Sequence, residues 1–120
     1  SGTVGWTDWN ILLNENGGPN HVQNFCFAPI HANTQTNELI YTPTYYYIGH
    51  FSKFIEPHAK RVSTTVSRST LESTSFRNPE GQTVTVVMNK TDEIIAYKLI
   101  VGNVEVPTQI APHAMQTLLY

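Results

Sequence analysis

The chain has 120 residues, enough for one domain or part of a larger one, and enough to bury about two-thirds of its unfolded surface. Hydrophobic residues make up 40% and charged residues 13%, with six Tyr, five Phe and two Trp, which excludes disorder. A net charge of −2 gives no electrostatic case for nucleic acid or an anionic membrane as partner.

No apolar run approaches the ~20 residues of a membrane span, so none is expected, and no signal-peptide pattern opens the chain. Residues 3–10, TVGWTDWN, read as one strand, because β-branched and aromatic residues favour it. Asn14-Glu15-Asn16-Gly17-Gly18-Pro19 carries turn chemistry. Residues 20–40 hold no steady period and read as a long ordered loop. A short helix near His21 to Phe25 and a small hairpin around Thr36-Asn37 are expected inside it. Cys26 is the only cysteine, so no internal disulfide exists. Its neighbours Phe25, Phe27 and Ala28 predict a buried, inert thiol.

At residue 42 the period changes. Thr42 suits an N-cap and Pro43 the first helical position. Tyr47, Ile48, Phe51, Phe54 and Ile55 follow at spacings of three and four, one face of a helix that Pro57 ends. Gly49 costs that helix about 1 kcal/mol against Ala and is expected to permit close packing. From residue 60 the period is two. Residues 61–66, 71–76, 83–88, 94–101, 104–106 and 115–120 read as strands. Asn78-Pro79-Glu80-Gly81 makes a hairpin turn, and Gly102-Asn103 makes another. Short strands at this spacing predict an antiparallel β-sandwich. One βα unit ahead of a sandwich cannot bury both its faces alone. Its neighbours are expected outside these 120 residues.

Chemistry gathers near the start. In a strand, alternation sets Trp9 opposite Trp6 and Asp8. An indole at a strand end offers a platform for the apolar face of a sugar ring, while Asp8, Asn10 and the loop residues Asn20, His21, Gln23 and Asn24 can meet hydroxyls. The competing reading makes both tryptophans core residues and Asp8 a structural acid. A complete glycosidase needs two carboxylates about 5 to 10 Å apart. Of nine acids, Asp8 alone has an aromatic setting, so no self-contained active site is expected. The five histidines lack metal-ligand spacing, and no nucleophile elbow, P-loop or dinucleotide motif occurs, so neither metal nor cofactor is expected. Asn89-Lys90-Thr91 is an N-glycosylation sequon that also reads as a turn after a strand.

V-G-W-T-D-W-N, then G-G-P-N, N-F and A-P-I, resembles the end of glycoside hydrolase family 30, the lysosomal glucosylceramidase family. Tyr47-Ile48-Gly49-His50-Phe51-Ser52-Lys53-Phe54-Ile55, Arg77-Asn78-Pro79-Glu80-Gly81 and Val86-Val87-Met88-Asn89-Lys90 extend the resemblance over nearly the whole chain. It implies a β-rich fragment of a larger protein: the last βα unit of a (β/α)8 barrel, then an antiparallel β-sandwich side domain. Residues 3–10 would be the eighth strand, 43–55 the eighth helix and 60–120 most of the sandwich. The division implied is 1–58 barrel and 59–120 sandwich, with most of a barrel of about 250 residues lying elsewhere. A retaining mechanism is implied, with both catalytic glutamates outside this chain and no catalytic residue within it. Trp9 and Asn24 would bind substrate, and Trp6 and Asp8 would support them. Partners implied are the remaining barrel segment and a β-glucoside: glucosylceramide, β-1,6-glucan or a xylan. Secretion, the periplasm or the lysosome is implied as location. His21 and Cys26 depart from the human-type enzyme's loop. The alternative is a non-catalytic carbohydrate-binding or structural β-sandwich module.

Overall fold

The structure is a computed structural model that describes residues 3–120. Residues 1 and 2, where the expected 1–58 segment and the reading of the chain's opening begin, lie outside the described residues. Two compact units are present, Ser1–Ile48 and Gly49–Tyr120.

The first unit holds three short strands and the start of a helix. Strand β1 (Leu12–Asn14) pairs in parallel with β2 (Ile30–Asn33), which pairs antiparallel with β3 (Glu38–Tyr41). The hairpin expected at Thr36-Asn37 is there. Asn33 Oδ1 accepts the amides of Gln35 and Thr36 at 3.0 and 3.1 Å, and Asn37 takes the left-handed conformation at φ 60°.

Three expectations for this unit fail. Residues 3–10 are not a strand. A strand exists through its ladder, and none of the described residues pairs with this stretch. Asn10, at φ 47°, also leaves the extended region, which Asn tolerates better than most residues. The alternation argument for Trp6, Asp8 and Trp9 lapses with the strand. Residues 21–25 are not a helix either, since Gln23 is left-handed at φ 56°. Cys26 is half-buried rather than buried, and its thiol lies 3.5 Å from the carbonyl of Asn24.

Helix α1 runs Pro43–Ser52, with Pro43 first as its fixed φ allows. Helical bonds from Lys53 to Gly49 and from Ile55 to Phe51 carry the turn to Ile55. Thr42 does not cap the helix with its side chain. Its hydroxyl donates to the carbonyls of Ala28 and Pro29 at 3.3 and 3.0 Å. No helix residue is buried, and a Cβ on Gly49 would meet nothing within 4 Å. Tyr47 and Phe51 are exposed and Ile48 is half-buried, and Gly49 serves no close approach.

The second unit is the sandwich. One sheet has the order β4 (Lys60–Val62), β5 (Leu71–Arg77), β6 (Thr83–Asn89), β9 (Met115–Leu119), and the other is the hairpin β7 (Ile95–Val101), β8 (Val104–Ile110). Every pairing is antiparallel. Strand β4 stops at Val62 instead of reaching residue 66, and β8 runs on to Ile110. Leu71 and Val87 of the larger sheet meet Ile95 and Ile110 of the hairpin in one buried cluster, flanked by Tyr97, Ala114 and Leu118. Each such aliphatic side chain contributes about 1.5–3 kcal/mol by burial. Val84, Thr85, Val86 and Val87 are buried in succession, so both faces of β6 are covered.

Asn78 heads the β5–β6 turn and is 3% exposed. Its Oδ1 accepts the amide of Glu56 at 3.1 Å, and its Nδ2 donates to the carbonyl of Phe54 at 3.0 Å. His50 Nδ1 lies 2.8 Å from the Thr117 hydroxyl on β9. The segment after the helix is thus tied to the larger sheet by an amide that mimics a strand. Asn78→Ala leaves the partly buried Glu56 amide and Phe54 carbonyl without their partner, and it should cost about 1–3 kcal/mol in urea unfolding.

Candidate functional site

The stretch from Trp6 to Asn24 is held by polar contacts. Asn14 begins them. Its Oδ1 accepts the amides of Asn16 and Gly18 at 3.0 and 2.8 Å, and its own amide donates to the carbonyl of Gly18 at 2.6 Å. Gly17 sits at φ 80° and its carbonyl accepts the Cys26 amide at 3.0 Å. A Cβ there would fall 2.2 Å from the Cys26 carbonyl oxygen, so the position admits only glycine. The Gly18–Pro19 peptide is cis.

His31 closes the loop. Its ring is 8% exposed, with Nε2 accepting the Ala28 amide at 3.1 Å and Nδ1 2.8 Å from the Asn14 carbonyl. An amide can only donate, so Nε2 is bare and the proton sits on Nδ1, which donates to Asn14. The neutral Nδ1–H tautomer satisfies both partners. Phe27 packs on the same ring at 4.9 Å between centroids.

On this frame the anticipated residues are open to solvent. Trp9 is 72% exposed and Trp6 79%. Asp8 Oδ1 accepts the Trp9 amide at 2.8 Å, which fixes the backbone from which the indole projects. Asn20 Oδ1 accepts the amides of Val22 and Asn24 at 3.3 and 3.0 Å, ordering the loop and leaving the Asn24 side chain exposed. Asp8 and Trp9 are brought together. Trp6 and Asn24 share no hydrogen bond with them among the described residues. An open cleft of about 870 Å³ lies elsewhere, in the sandwich, between residues 67–70 and 91–96, and contains none of the four.

Six of the nine carboxylates have partners. Asp8 braces Trp9, Glu15 holds Thr34, Glu38 accepts from Thr36, Glu72 pairs with Lys90, Asp92 with His113 and Glu105 with Lys98. The backbone amide of Thr34 and that of Glu15 itself, then the Thr34 hydroxyl, hold the Glu15 carboxyl below the usual carboxylate range. No group of three or more His, Cys, Asp or Glu among the described residues is arranged to hold a metal ion. Sequence reading found the exposed aromatics but missed His31 and Thr42, which fix the loop. A lone histidine and a threonine carry no spacing signal, although the Asn14–Gly17 turn did.

The chain thus joins a loop-rich first unit carrying exposed tryptophans and amides to an antiparallel sandwich. Residues 2–55 match the family model of the glycosyl hydrolase family 30 TIM-barrel domain, and residues 58–118 that of the family's β-sandwich domain. The chain belongs to glycosyl hydrolase family 30. It is 44% identical over 91 residues, 75% of its length, to the lysosomal acid glucosylceramidase of Mus musculus. The crystal structure of SrfJ from Salmonella typhimurium matches with a TM-score of 0.89 and 36% identity, over 94% of this chain and 25% of that one. An endo-β1,6-glucanase shares the fold with a TM-score of 0.81 at 22% identity, over 91% of this chain and 25% of that one. The chain spans 18% of the mouse enzyme's length.

Two outcomes follow from the geometry. His31→Ala leaves the buried Ala28 amide without its partner, while the Asn14 carbonyl keeps the Gly17 amide, and should lower stability by about 1–3 kcal/mol in urea unfolding. The Glu15 carboxyl is depressed in the folded chain, so its contribution is present above its ordinary value of 4.5 and lost as pH falls through the folded value. Glu15→Gln should flatten that acid limb when stability is followed from pH 6 to pH 3.

Proposed function

We propose that this chain is the C-terminal portion of a retaining β-glycosidase, with residues 1–58 completing the barrel and 59–120 forming the side domain. Trp9 stacks its indole on the apolar face of the sugar, and the Asn24 amide hydrogen-bonds sugar hydroxyls. Trp6 and Asp8 support the wall. The observation that supports this most is the exposure of Trp9, 72%, beside a carboxylate that fixes its backbone, in a chain of a glycosidase family. Trp6, Phe25 and Phe27 are exposed as well, and together these aromatics form apolar surface that calls for a partner.

In a retaining enzyme two carboxyl groups about 5–5.5 Å apart act in turn. One attacks the anomeric carbon, and the other protonates the leaving oxygen and later activates water. Both are glutamates contributed by chain outside these 120 residues. The residues here orient the ring and exclude water from one side of it, so they act on binding more than on bond cleavage. The substrate favoured is glucosylceramide, because the mouse relative at 44% identity is a lysosomal acid glucosylceramidase. The same relative favours a lysosomal site of action. A β-1,6-glucan is the competitor, and the likeness to a glucanase at 22% identity supports the fold alone. No helix among the described residues is long and apolar enough to cross a membrane.

The test is made in the parent enzyme. Burying about half an indole against a sugar is worth ~2 kcal/mol at ~25 cal/mol per Å². Trp9→Ala should therefore lower kcat/KM on a β-glucoside about 10- to 100-fold, chiefly through KM, with Tm nearly unchanged. Trp9→Phe should recover part of the loss. A Trp9→Ala enzyme with normal kinetics and a lowered Tm would make the tryptophan a core residue and end the reading. The isolated 120 residues should hydrolyse nothing and behave poorly alone. A stable monomer with measurable glucan affinity would support the binding-module alternative instead.

A further inference from the structure

Asn16 alone of the asparagines is followed by glycine. A backbone nitrogen can attack the side-chain amide carbon of the residue before it, and glycine, without a Cβ, obstructs that approach least. Asn16 is exposed, and its side-chain amide makes no hydrogen bond among the described residues. Its leaving group thus stands in water, and the amide carbon is free to turn toward the Gly17 nitrogen.

The turn holds this reaction back. The Gly17 amide donates to the Asn14 carbonyl at 3.0 Å, and Gly17 is buried. That nitrogen becomes a nucleophile only after the bond opens and its proton is lost. Both sides of Asn16 are also anchored. On one side the Glu15 carboxylate accepts the Thr34 amide at 2.9 Å and the Thr34 hydroxyl at 3.0 Å. On the other the Gly17 carbonyl accepts the Cys26 amide at 3.0 Å. The two backbones lie so close that a Cβ on Gly17 would fall 2.2 Å from the Cys26 carbonyl oxygen. A main chain fixed at residues 15 and 17 has no slack between them.

We infer that Asn16 is a site of spontaneous deamidation, and that its isoaspartyl product releases the loop from Gly17 to Cys26. The Gly17 nitrogen gives its proton to solvent base and bonds to Asn16 Cγ. The Cγ–Nδ2 bond breaks, and ammonia leaves with a proton drawn from solvent. The ring so formed is a succinimide, and water opens it. Breaking the bond from nitrogen to the main-chain carbonyl carbon of residue 16 leaves isoaspartate, and breaking the bond to Cγ leaves aspartate. Either product carries a carboxylate and returns a proton to the Gly17 nitrogen. Isoaspartate alone routes the main chain through Cβ and Cγ, which lengthens it by one carbon–carbon bond of about 1.5 Å. Set between two anchored residues, that bond displaces Gly17 from Cys26, and no side chain can replace a contact made by two backbones. Asn24 lies in the released segment, so substrate binding weakens with it, a consequence that rests on the reading of Asn24 as a sugar ligand.

The parent enzyme in mildly alkaline buffer tests this, read by peptide mapping for aspartate and isoaspartate at residue 16. Conversion should be at least about tenfold faster in urea-unfolded chains than in the folded enzyme, where the turn must first open. Folded enzyme that has converted gains a negative charge and separates by ion exchange. Hydrogen exchange is followed on the peptide that spans residues 16–26, where the two products elute apart. In the isoaspartyl form the Cys26 amide should exchange about tenfold faster or more, and KM on a β-glucoside should rise. Asn16→Asp carries the charge without the added bond and should keep wild-type exchange and KM, and Asn16→Gln should keep both through the same incubation. Unfolded chains that retain Asn16 intact overturn the inference. So does an isoaspartyl enzyme whose Cys26 amide exchanges as slowly as before. Asn24→Ala separates loop release from the reading of Asn24. Raised exchange with unchanged KM, where Asn24→Ala also leaves KM unchanged, supports the release and removes Asn24 as a ligand. The same unchanged KM where Asn24→Ala raises it overturns the link from loop to binding.

Discussion

The carbonyl of Asn14 and the amide of Ala28 meet on opposite edges of one buried imidazole, and the first unit depends on that meeting. Strand β1 has three residues and β2 four, too few to hold each other in register by backbone bonds alone. The His31 ring adds a side-chain tie from β2 back to the end of β1 and onto the loop between them. Thr42 closes the far side by donating to Ala28 and Pro29. Gly17 lets the outgoing and returning chain touch, which any Cβ would prevent. The result is a loop whose path is set by buried polar contacts, while Asn24 within it and Trp9 ahead of β1 stay open.

This division of labour explains what the sequence disclosed. The sandwich was legible because its strands alternate and its turns carry Gly81 and Gly102 at positive φ, where such turns need them. The helix was legible from the three-and-four spacing and Pro43. The strand read at residues 3–10 was not real, because composition reports a preference for extended backbone while a ladder needs a neighbour. The β2–β3 hairpin was half visible, with Asn37 as its signal and strands too short to show a period. The exposed tryptophans stood out by type, yet their support did not. His31, Thr42 and Asn14 act across up to 17 residues of chain, and no local pattern encodes which carbonyl an imidazole will find.

Asparagine carries a parallel role in the sandwich. Asn78 and Asn89 stand at the two ends of the β5–β6 pairing region, 3% and 1% exposed; Asn78 holds the Phe54–Glu56 segment through both ends of its amide, and Asn89 holds Glu93 and Ala111 through Nδ2. In sequence both look like turn residues, which is how solvent-facing asparagines behave. Burial changes the energetics. In water such an amide is nearly neutral to folding, whereas inside it satisfies backbone groups that would otherwise be stranded at about 1–3 kcal/mol apiece. Strand β6 between them is buried on both faces, so the polar pins sit where the sheet is driest and where a wrong register would cost most.

The first unit has the opposite balance. Its buried hydrophobics are Leu13 and Ala28, while Val4, Trp6, Trp9, Ile11, Val22, Phe25 and Phe27 are all more than half exposed. A core of two small or medium side chains contributes a few kcal/mol by burial, far below the entropy of ordering some forty residues at about 1–2 kcal/mol each. Polar pins set a path but do not supply the missing apolar free energy, since each net hydrogen bond adds only about 0.5–1.5 kcal/mol. A segment of this kind acquires its stability from apolar surface supplied by another part of a protein, and a family built on a closed barrel supplies such surface. The backbone at Trp9 is held by a side chain, as that at the exposed Val22 is held by Asn20. Asp8 fixes the Trp9 backbone through a charge-assisted bond, and a fixed backbone under an exposed ring lowers the entropy lost when a ligand stacks there.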